Sequence, residues 1–387
     1  MKKNYPLRKP DYTRSIPNIV SSLLEYYHCP TRYPSLAELR EPLGSNAKNV
    51  LVIILDGMGT ELIKSNLSET GFLNQNIKAS LTSVYPSTTT AAMTAYYTGQ
   101  SPLEHGWLGW TLYMKEFGGL VDAFTNKGTV SQEPIWTQSA AQYLMPYQTI
   151  FDQIHHYSPE VKQTVIQPSS INFQKGPQTN IKVDTIQELF QEIVRISQQE
   201  NQQFIFAYWP NPDSTLHKEG CYTTKVKDLF KELENGVEKL TDQLKDTLLI
   251  LSADHGQIDV GRTVNLRDYP EIDACLIMPP SLESRALSLF VKPNKKAQFE
   301  DLFNENFGDE FILLSKEDFL SQAYLGQGTA HRKIDDYLGD YIAIGIGETL
   351  LQYIMPNSSP LPQFKGHHAG LRKEEMSIPL IIKRLSP

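Results

Sequence analysis

The chain has 387 residues, with 36 Lys and Arg against 44 Asp and Glu and a formal net charge of −8. Charges of both signs are scattered along it, which excludes the basic footprint of a protein that binds polymeric nucleic acid. With 40% apolar residues, the chain can bury a sizeable core.

Residues 1–48 read as a helical and extended segment. Basic residues near the start precede no apolar run of signal-peptide length, and no segment approaches about eighteen consecutive apolar residues, so neither secretion nor a membrane span is expected. The three cysteines, Cys29, Cys221 and Cys275, are far apart and odd in number. They fit structural thiols in a reducing compartment, and a cytoplasmic location is expected.

The run "NVLVIIL" at 49–55, followed at once by "DGMG", has the pattern of a buried parallel strand ending in a tight turn, with a helix starting near Thr60. Apolar runs recur at 204–209, 247–253, 340–345 and 378–383, and helical patterns span 184–200 and 223–245. Strands alternating with helices predict an α/β fold: a doubly wound, mostly parallel sheet with helices on both faces. Its core is expected over 49–280 and 340–387. Residues 281–339 break the rhythm with "SRALSLFVK", a charged helix and "EFILLS", and read as an inserted α+β cap subdomain. Residues 107–147, rich in Gly, Trp, Tyr and Gln without a clear period, read as a loop-rich insertion near the site.

In open parallel sheets, ligands bind at the carboxyl ends of strands. Polar residues fall at these places four times: Asp56 after the first strand, "YPSTTTAAMTAYYTG" at 85–99, "WPNPDSTLH" at 209–217, and Asp254 with His255 after the run at 247. Asp213 and His217 are four apart, so one helical face presents both. Taken singly, each has an ordinary alternative: a turn aspartate, a helix cap, a solvated helix start. Together, three acids and two histidines share one sheet edge, with "GHHAG" at 366–370 just before the last strand. Buried carboxylates in one site repel unless cations neutralise them. Mixed carboxylate and imidazole ligands suit zinc, with manganese and iron as alternatives, and two ions about 4 Å apart form the usual clamp for in-line displacement at phosphorus. The threonine run places a hydroxyl near a helix N-terminus, where the dipole favours negative charge.

These segments resemble a family. "LDGMG", "YPSTTTAAMTAYYTGQSPLEHG", "PDSTLH", "SADHGQ" and "GHHAGL…IPLII" follow the order and approximate spacing of the alkaline phosphatase superfamily, and most closely its type I phosphodiesterase and nucleotide pyrophosphatase branch. The resemblance covers roughly residues 49–383. It implies an alkaline-phosphatase-like fold in which Asp213, His217 and His368 hold one divalent ion and Asp56, Asp254 and His255 a second. Thr89 is implied as the nucleophile between them, chosen over Thr88 and Thr90 by its place after Pro86; His368 is chosen over His367 by the small pair Ala369 and Gly370 that follows it. His105, in "EHG", also falls at a family position, but a packing or turn role is expected of it. Three carboxylates and a Thr89 alkoxide would balance two divalent ions before substrate arrives.

The implied activity is metal-dependent hydrolysis of phosphodiester or nucleotide pyrophosphate bonds through a phosphothreonine intermediate, on a small-molecule phosphate ester or nucleotide. A phosphomonoesterase or a phosphonate (C–P) hydrolase would use the same ligands. A reading of another class, a metal-stabilised binding protein without turnover, is opposed by the complete ligand set and Thr89. The sequence departs from the family where its diesterases carry a phosphate-binding asparagine: that place falls near Trp110. Trp107, Trp110, Tyr113 and Trp136 offer an aromatic wall for a leaving group instead. No Arg or Lys lies between Thr89 and Trp110. Arg332 and Arg372 are the cations that a fold could still bring over the site. The oligomeric state is left open.

Overall fold

The computed structural model describes residues 5–171, 176–355 and 363–386. The strand Asn49–Leu55 is buried at every residue and pairs in parallel with Gln203–Trp209 on one side and Thr247–Ser252 on the other. A β-branched run without polar alternation has no face to give to solvent, so it takes the centre of a covered sheet. Lys162–Pro168 and Thr179–Val183 extend the sheet past Gln203–Trp209; Ser377–Leu385 and then Ile77–Thr82 extend it past Thr247–Ser252. Of these seven strands, only Ser377–Leu385 runs against its neighbours.

Helices cover the sheet with apolar stripes at helical spacing. Ile186–Ser197 buries Ile186, Leu189, Ile193 and Ile196, and Thr224–Gln243 buries Val226, Phe230, Leu233, Val237 and Leu240. Truncating one such residue, as in Leu189→Ala, costs about 2–5 kcal/mol because the close-packed layer refills the cavity only partly. The first 48 residues contribute the helices Ile16–Tyr26 and Ala37–Gly44; the former packs on the helix Thr89–Thr98. Among the described residues, no helix is long and apolar enough to cross a membrane.

A second seven-stranded sheet, antiparallel at every pairing, lies in the order Phe311–Ser315, Tyr341–Gly345, Ala286–Leu289, Ser281–Glu283, Thr111–Met114, Gly119–Asp122, Lys127–Gly128. Two expectations change here. The run at 340–345 is a strand, but it joins this sheet rather than the parallel core: an apolar run specifies burial on both faces, not which sheet provides it. The segment 107–147 is not only loop, because its three short strands complete the same sheet across the single pair Leu282–Thr111. The unit that faces the core therefore draws on two separate stretches of chain, 111–128 and 281–345.

The two sheets are joined by a buried ion pair. Arg285, fully buried beside the strand Ala286–Leu289, binds Glu375 through Nε at 2.7 Å and Nη2 at 2.9 Å. Its remaining donors reach the carbonyls of Thr349 and Gly347. Glu375 in turn accepts the N–H groups of Gly370 and Arg372, and its own carbonyl accepts that of Gly256. The loops at 254–257 and 366–370 are thus fixed to each other and to the second sheet.

Candidate active site

Each predicted ligand leaves the parallel sheet at a carboxyl end. Asp56 follows Leu55 directly, and its backbone N–H remains bonded to Trp209 O at 3.0 Å. Gly57 turns the chain with φ +74, and a Cβ there would lie 2.9 Å from Asp213 Cα. Glycine is needed for both reasons: the left-handed backbone and the close approach of the next strand's loop. Asp213 opens the helix Asp213–Glu219, so His217 projects one turn on from the same face, with Nε2 3.4 Å from Asp213 Oδ1. Asp254 Oδ1 accepts from Gly57 N at 3.0 Å and His255 N at 2.9 Å, which binds the first and third loops together.

Two trios result: Asp213, His217 and His368, and Asp56, Asp254 and His255, each with ligand atoms lying within 4.8 Å of one another. His255 and His368 stack face to face at 3.8 Å, so the trios adjoin. Of the three hydroxyls left open by the sequence, Thr89 Oγ1 is the one that reaches the centre, against the second trio at 3.2 Å from His255 Nε2 and 3.4 Å from Asp56 Oδ2. Thr88 Oγ1 instead donates to Glu283, and Thr90 is fully buried.

The imidazoles are oriented as metal ligands require. Nδ1 of His217 lies 2.8 Å from Gly366 O, that of His255 3.0 Å from Gly256 O, and that of His368 3.0 Å from Ser87 O. A carbonyl only accepts, so each Nδ1 carries the proton and each Nε2 turns a lone pair into the site. His367 differs: its Nδ1 lies 3.0 Å from both the N–H and the carbonyl of His368, and its ring belongs to neither trio. Asp56 Oδ1 and Asp254 Oδ2 are buried and receive no hydrogen bond. Burial, then the charges of Asp254 and Asp213, pushes the Asp56 carboxyl well above the usual range. Burial, then the neighbouring histidines, holds His368 well below its own. Crowded carboxylates, orphaned oxygens and convergent lone pairs are all relieved by cations, so the residues present fit the metal centre expected of them.

Around this centre opens a cavity of about 1220 Å³. Its far wall comes from the second sheet and from 107–147. Trp107 and Trp110 both line it, Trp107 buried with its indole N–H on Met145 O at 3.2 Å, Trp110 exposed and edge-on to Phe124. Tyr113 packs on Phe290, and Trp136 on Phe117 and Tyr143; neither lines the cavity. His105 is buried with Nδ1 accepting from Trp107 N, and burial lowers it to about 3, in keeping with a packing role. Among the described lining residues there is no lysine or arginine. Arg372 is held by Glu374 and Glu348 and stacks on Tyr5, while Arg332 is exposed elsewhere.

Four residues of the site escaped sequence reasoning. Tyr208 donates to Asp56 Oδ2, and Gln257 donates to Asp213 Oδ1. Both stand inside or beside motifs already singled out, where a polar residue next to a ligand was a readable signal. Glu375, which holds the His368 loop, lies in the gap of the last motif, between "GHHAGL" and "IPLII". Glu283 had no signal at all, since the second sheet brings it in; burial raises its carboxyl to about 7, against hydrogen bonds from Thr88 and Trp110.

The sequence profile of the type I phosphodiesterase / nucleotide pyrophosphatase family matches residues 50–317. Ectonucleotide pyrophosphatase/phosphodiesterase family member 7 from Rattus norvegicus is 27% identical over 172 residues, and the Mus musculus protein matches equally. That match spans 43% of this chain but only 33% of the relative's length. Among solved structures, an inactive variant of murine ectonucleotide pyrophosphatase/phosphodiesterase 5 in complex with AMP superposes with TM-score 0.61 at 15% identity, over 86% of this chain and 87% of the other. Phosphonoacetate hydrolase from Sinorhizobium meliloti 1021 in complex with phosphonoacetate gives 0.63 at 14% identity, over 87% and 90%. These superpositions establish an alkaline-phosphatase-like fold. With the profile covering well over half of its length, the chain belongs to the type I phosphodiesterase / nucleotide pyrophosphatase family.

Proposed function

We propose that the protein is a metal-dependent hydrolase of phosphodiester or nucleotide pyrophosphate bonds, with Thr89 as nucleophile and two divalent ions, zinc first, held by the two trios. The observation that carries this reading is the position of Thr89 Oγ1 within 3.4 Å of both a carboxylate and an imidazole at the first residue of a ten-residue helix. Bound there, the ions would supply Lewis-acid polarisation of the phosphoryl group and favour the alkoxide of the threonine. Thr89 Oγ1 forms the new bond to phosphorus as the bond to the departing alcohol or phosphate breaks; water then cleaves the phosphothreonine. First-turn N–H groups and the helix dipole favour the anionic phosphoryl group over Thr89. Glu375 and Gln257 keep the His368 and Asp213 groups in place through the exchange.

The fold likeness to phosphonoacetate hydrolase leaves a phosphonate hydrolase as a second reading. Absence of lysine and arginine from the described cavity wall weighs against it and against a monoesterase, because both substrates carry a second negative charge. The three cysteines are buried and unpaired, which supports the cytoplasmic placement included in this proposal. The test is elemental analysis of protein purified without chelator together with hydrolysis of an aryl diester. Two equivalents of zinc and turnover support the reading. Less than one equivalent of any transition metal, with no activity on adding zinc or manganese, overturns it.

A further inference from the structure

Glu283 ends the strand Ser281–Glu283 of the second sheet and faces the cavity. Its Oε1 accepts from Thr88 Oγ1 at 2.7 Å and from the Trp110 backbone N–H at 2.7 Å. A carboxyl group is therefore built in beside the residue preceding the nucleophile. It also occupies the backbone donor at Trp110, the place where the resemblance leads one to look for a phosphate-binding amide.

Both hydrogen bonds would be kept by a glutamine, whose carbonyl oxygen accepts equally well, so the ties to Thr88 and Trp110 do not by themselves require an acid. What only the acid adds is negative charge. Among the described lining residues no lysine or arginine cancels it, and the charge of two bound divalent ions would be balanced by Asp56, Asp213, Asp254 and a Thr89 alkoxide. Asp122, the other acid on the wall, is engaged by the hydroxyls of Thr111 and Thr129 and by Gln132. Aromatic faces supply much of the remaining wall, from Trp107, Trp110, Phe124, Tyr147, Tyr353 and Phe364. Such faces accept neutral groups and attract cationic ones.

We propose that Glu283 is a specificity-determining charge filter, which confines the site to phosphodiesters whose organic groups carry no further negative charge, neutral or cationic alcohols being preferred. The proposal rests on the phosphodiesterase reading and narrows its substrate class. A diester brings one negative charge, which the metal centre takes up. A monoester, a phosphonate bearing a carboxylate, or a diester with extra phosphates brings at least one more, and that charge meets Glu283 with no lysine or arginine among the described wall residues to offset it.

The experiment compares kcat/KM for methyl p-nitrophenyl phosphate, p-nitrophenyl phosphorylcholine and p-nitrophenyl phosphate, in the zinc-loaded wild type and in Glu283→Gln, at one ionic strength and one pH well above the value of about 7 to which burial raises Glu283. The wild type is expected to favour the two diesters. The variant should raise the monoester-to-diester ratio by about tenfold, the scale of one like charge several ångströms away in a partly screened site. A ratio that does not move means that Glu283 only positions Thr88 and Trp110, and overturns the proposal. A wild type that cleaves the monoester and neither diester overturns the phosphodiesterase reading instead. Should Glu283→Gln fail to fold, the wild type decides with methyl p-nitrophenyl phosphate against its carboxymethyl counterpart. Equal kcat/KM for that pair overturns the filter, and a marked loss with the added carboxylate supports it.

Discussion

The two seven-stranded sheets meet at one cavity and treat it differently. From the parallel sheet come Asp56, Thr89, Asp213, Asp254 and His255, each within a few residues of a strand's carboxyl end or at the start of the following helix, and each tied to backbone or to a neighbouring ligand. Several of its turns tolerate no side chain, as at Gly57 against Asp213 and at Gly256, where a Cβ would lie 2.0 Å from Glu374 O. From the antiparallel sheet and its loops come Trp110, Phe124 and Glu283, which hold the wall with side chains that are exposed or half-buried. One side of the cavity is fixed by chain geometry and carries the groups to which the proposed reaction is assigned. The other is set by side-chain identity and decides what the reacting groups meet. Rate and selectivity are therefore separable in this molecule by region.

The sharpest way to break that division is Thr89→Ala. It removes the nucleophile and nothing from the wall, so kcat/KM should fall by on the order of a thousandfold or more for every substrate, with metal content retained. Turnover above about a tenth of wild type would show that the threonine is not the attacking group. Next is Arg285→Ala, which leaves Glu375 buried without its counter-charge and should destabilise the protein by about 3–5 kcal/mol in denaturant titration. If the sheets form one cooperative unit, unfolding remains a single transition; a new early transition confined to the second sheet would show that they are separate.

Chelation tests the division from the other side. Ions that bind only the folded state stabilise it by about 2.7 kcal/mol at a hundredfold excess over Kd, and their removal should lower Tm accordingly. Hydrogen exchange should quicken at Asp56–Met58, His255–Gln257 and His367–His368 and remain slow in Ala286–Leu289. Equal quickening in both sheets would contradict a metal centre confined to the parallel one. Trp110→Ala is expected to do least: KM for an aryl diester rises about threefold to tenfold while kcat stays within about twofold, since an exposed ring contributes binding rather than chemistry.

What the sequence disclosed follows the same line. Ligands of the parallel sheet are legible because each one closely follows an apolar run, so strand and ligand are read together, as in "LVIILDG". The second sheet was not legible as a sheet. Its strands are two to five residues long and come from two distant stretches, 111–128 and 281–345, which the single pair Thr111–Leu282 joins. No local pattern encodes that meeting, and Glu283 became visible only with it. The preference for Thr89 over Thr88 and Thr90 first came by resemblance; the hydrogen bond from Thr88 to Glu283 and the burial of Thr90 give it a physical reason. The same holds for His368 over His367, since it is the His368 ring that converges with Asp213 and His217.

The reversed strand Ser377–Leu385 lies inside the core sheet, between Ile77–Thr82 and Thr247–Ser252, with Ile378 opposite Leu81 and Ile382 opposite Ile250. During synthesis, five strands of that sheet can pair as they emerge, yet Ile77–Thr82 has no partner until the polypeptide has been made through Leu385. Until then Thr247–Ser252 presents an open edge with the apolar centre Leu248–Leu251, which is a template for pairing with other chains. His368 arrives only shortly before the closing strand, so a nascent chain cannot complete the Asp213 trio early. Completion of that trio is thereby placed near the end of the fold's synthesis, and the interval before the strand closes is when the open edge is most exposed to pairing with other chains.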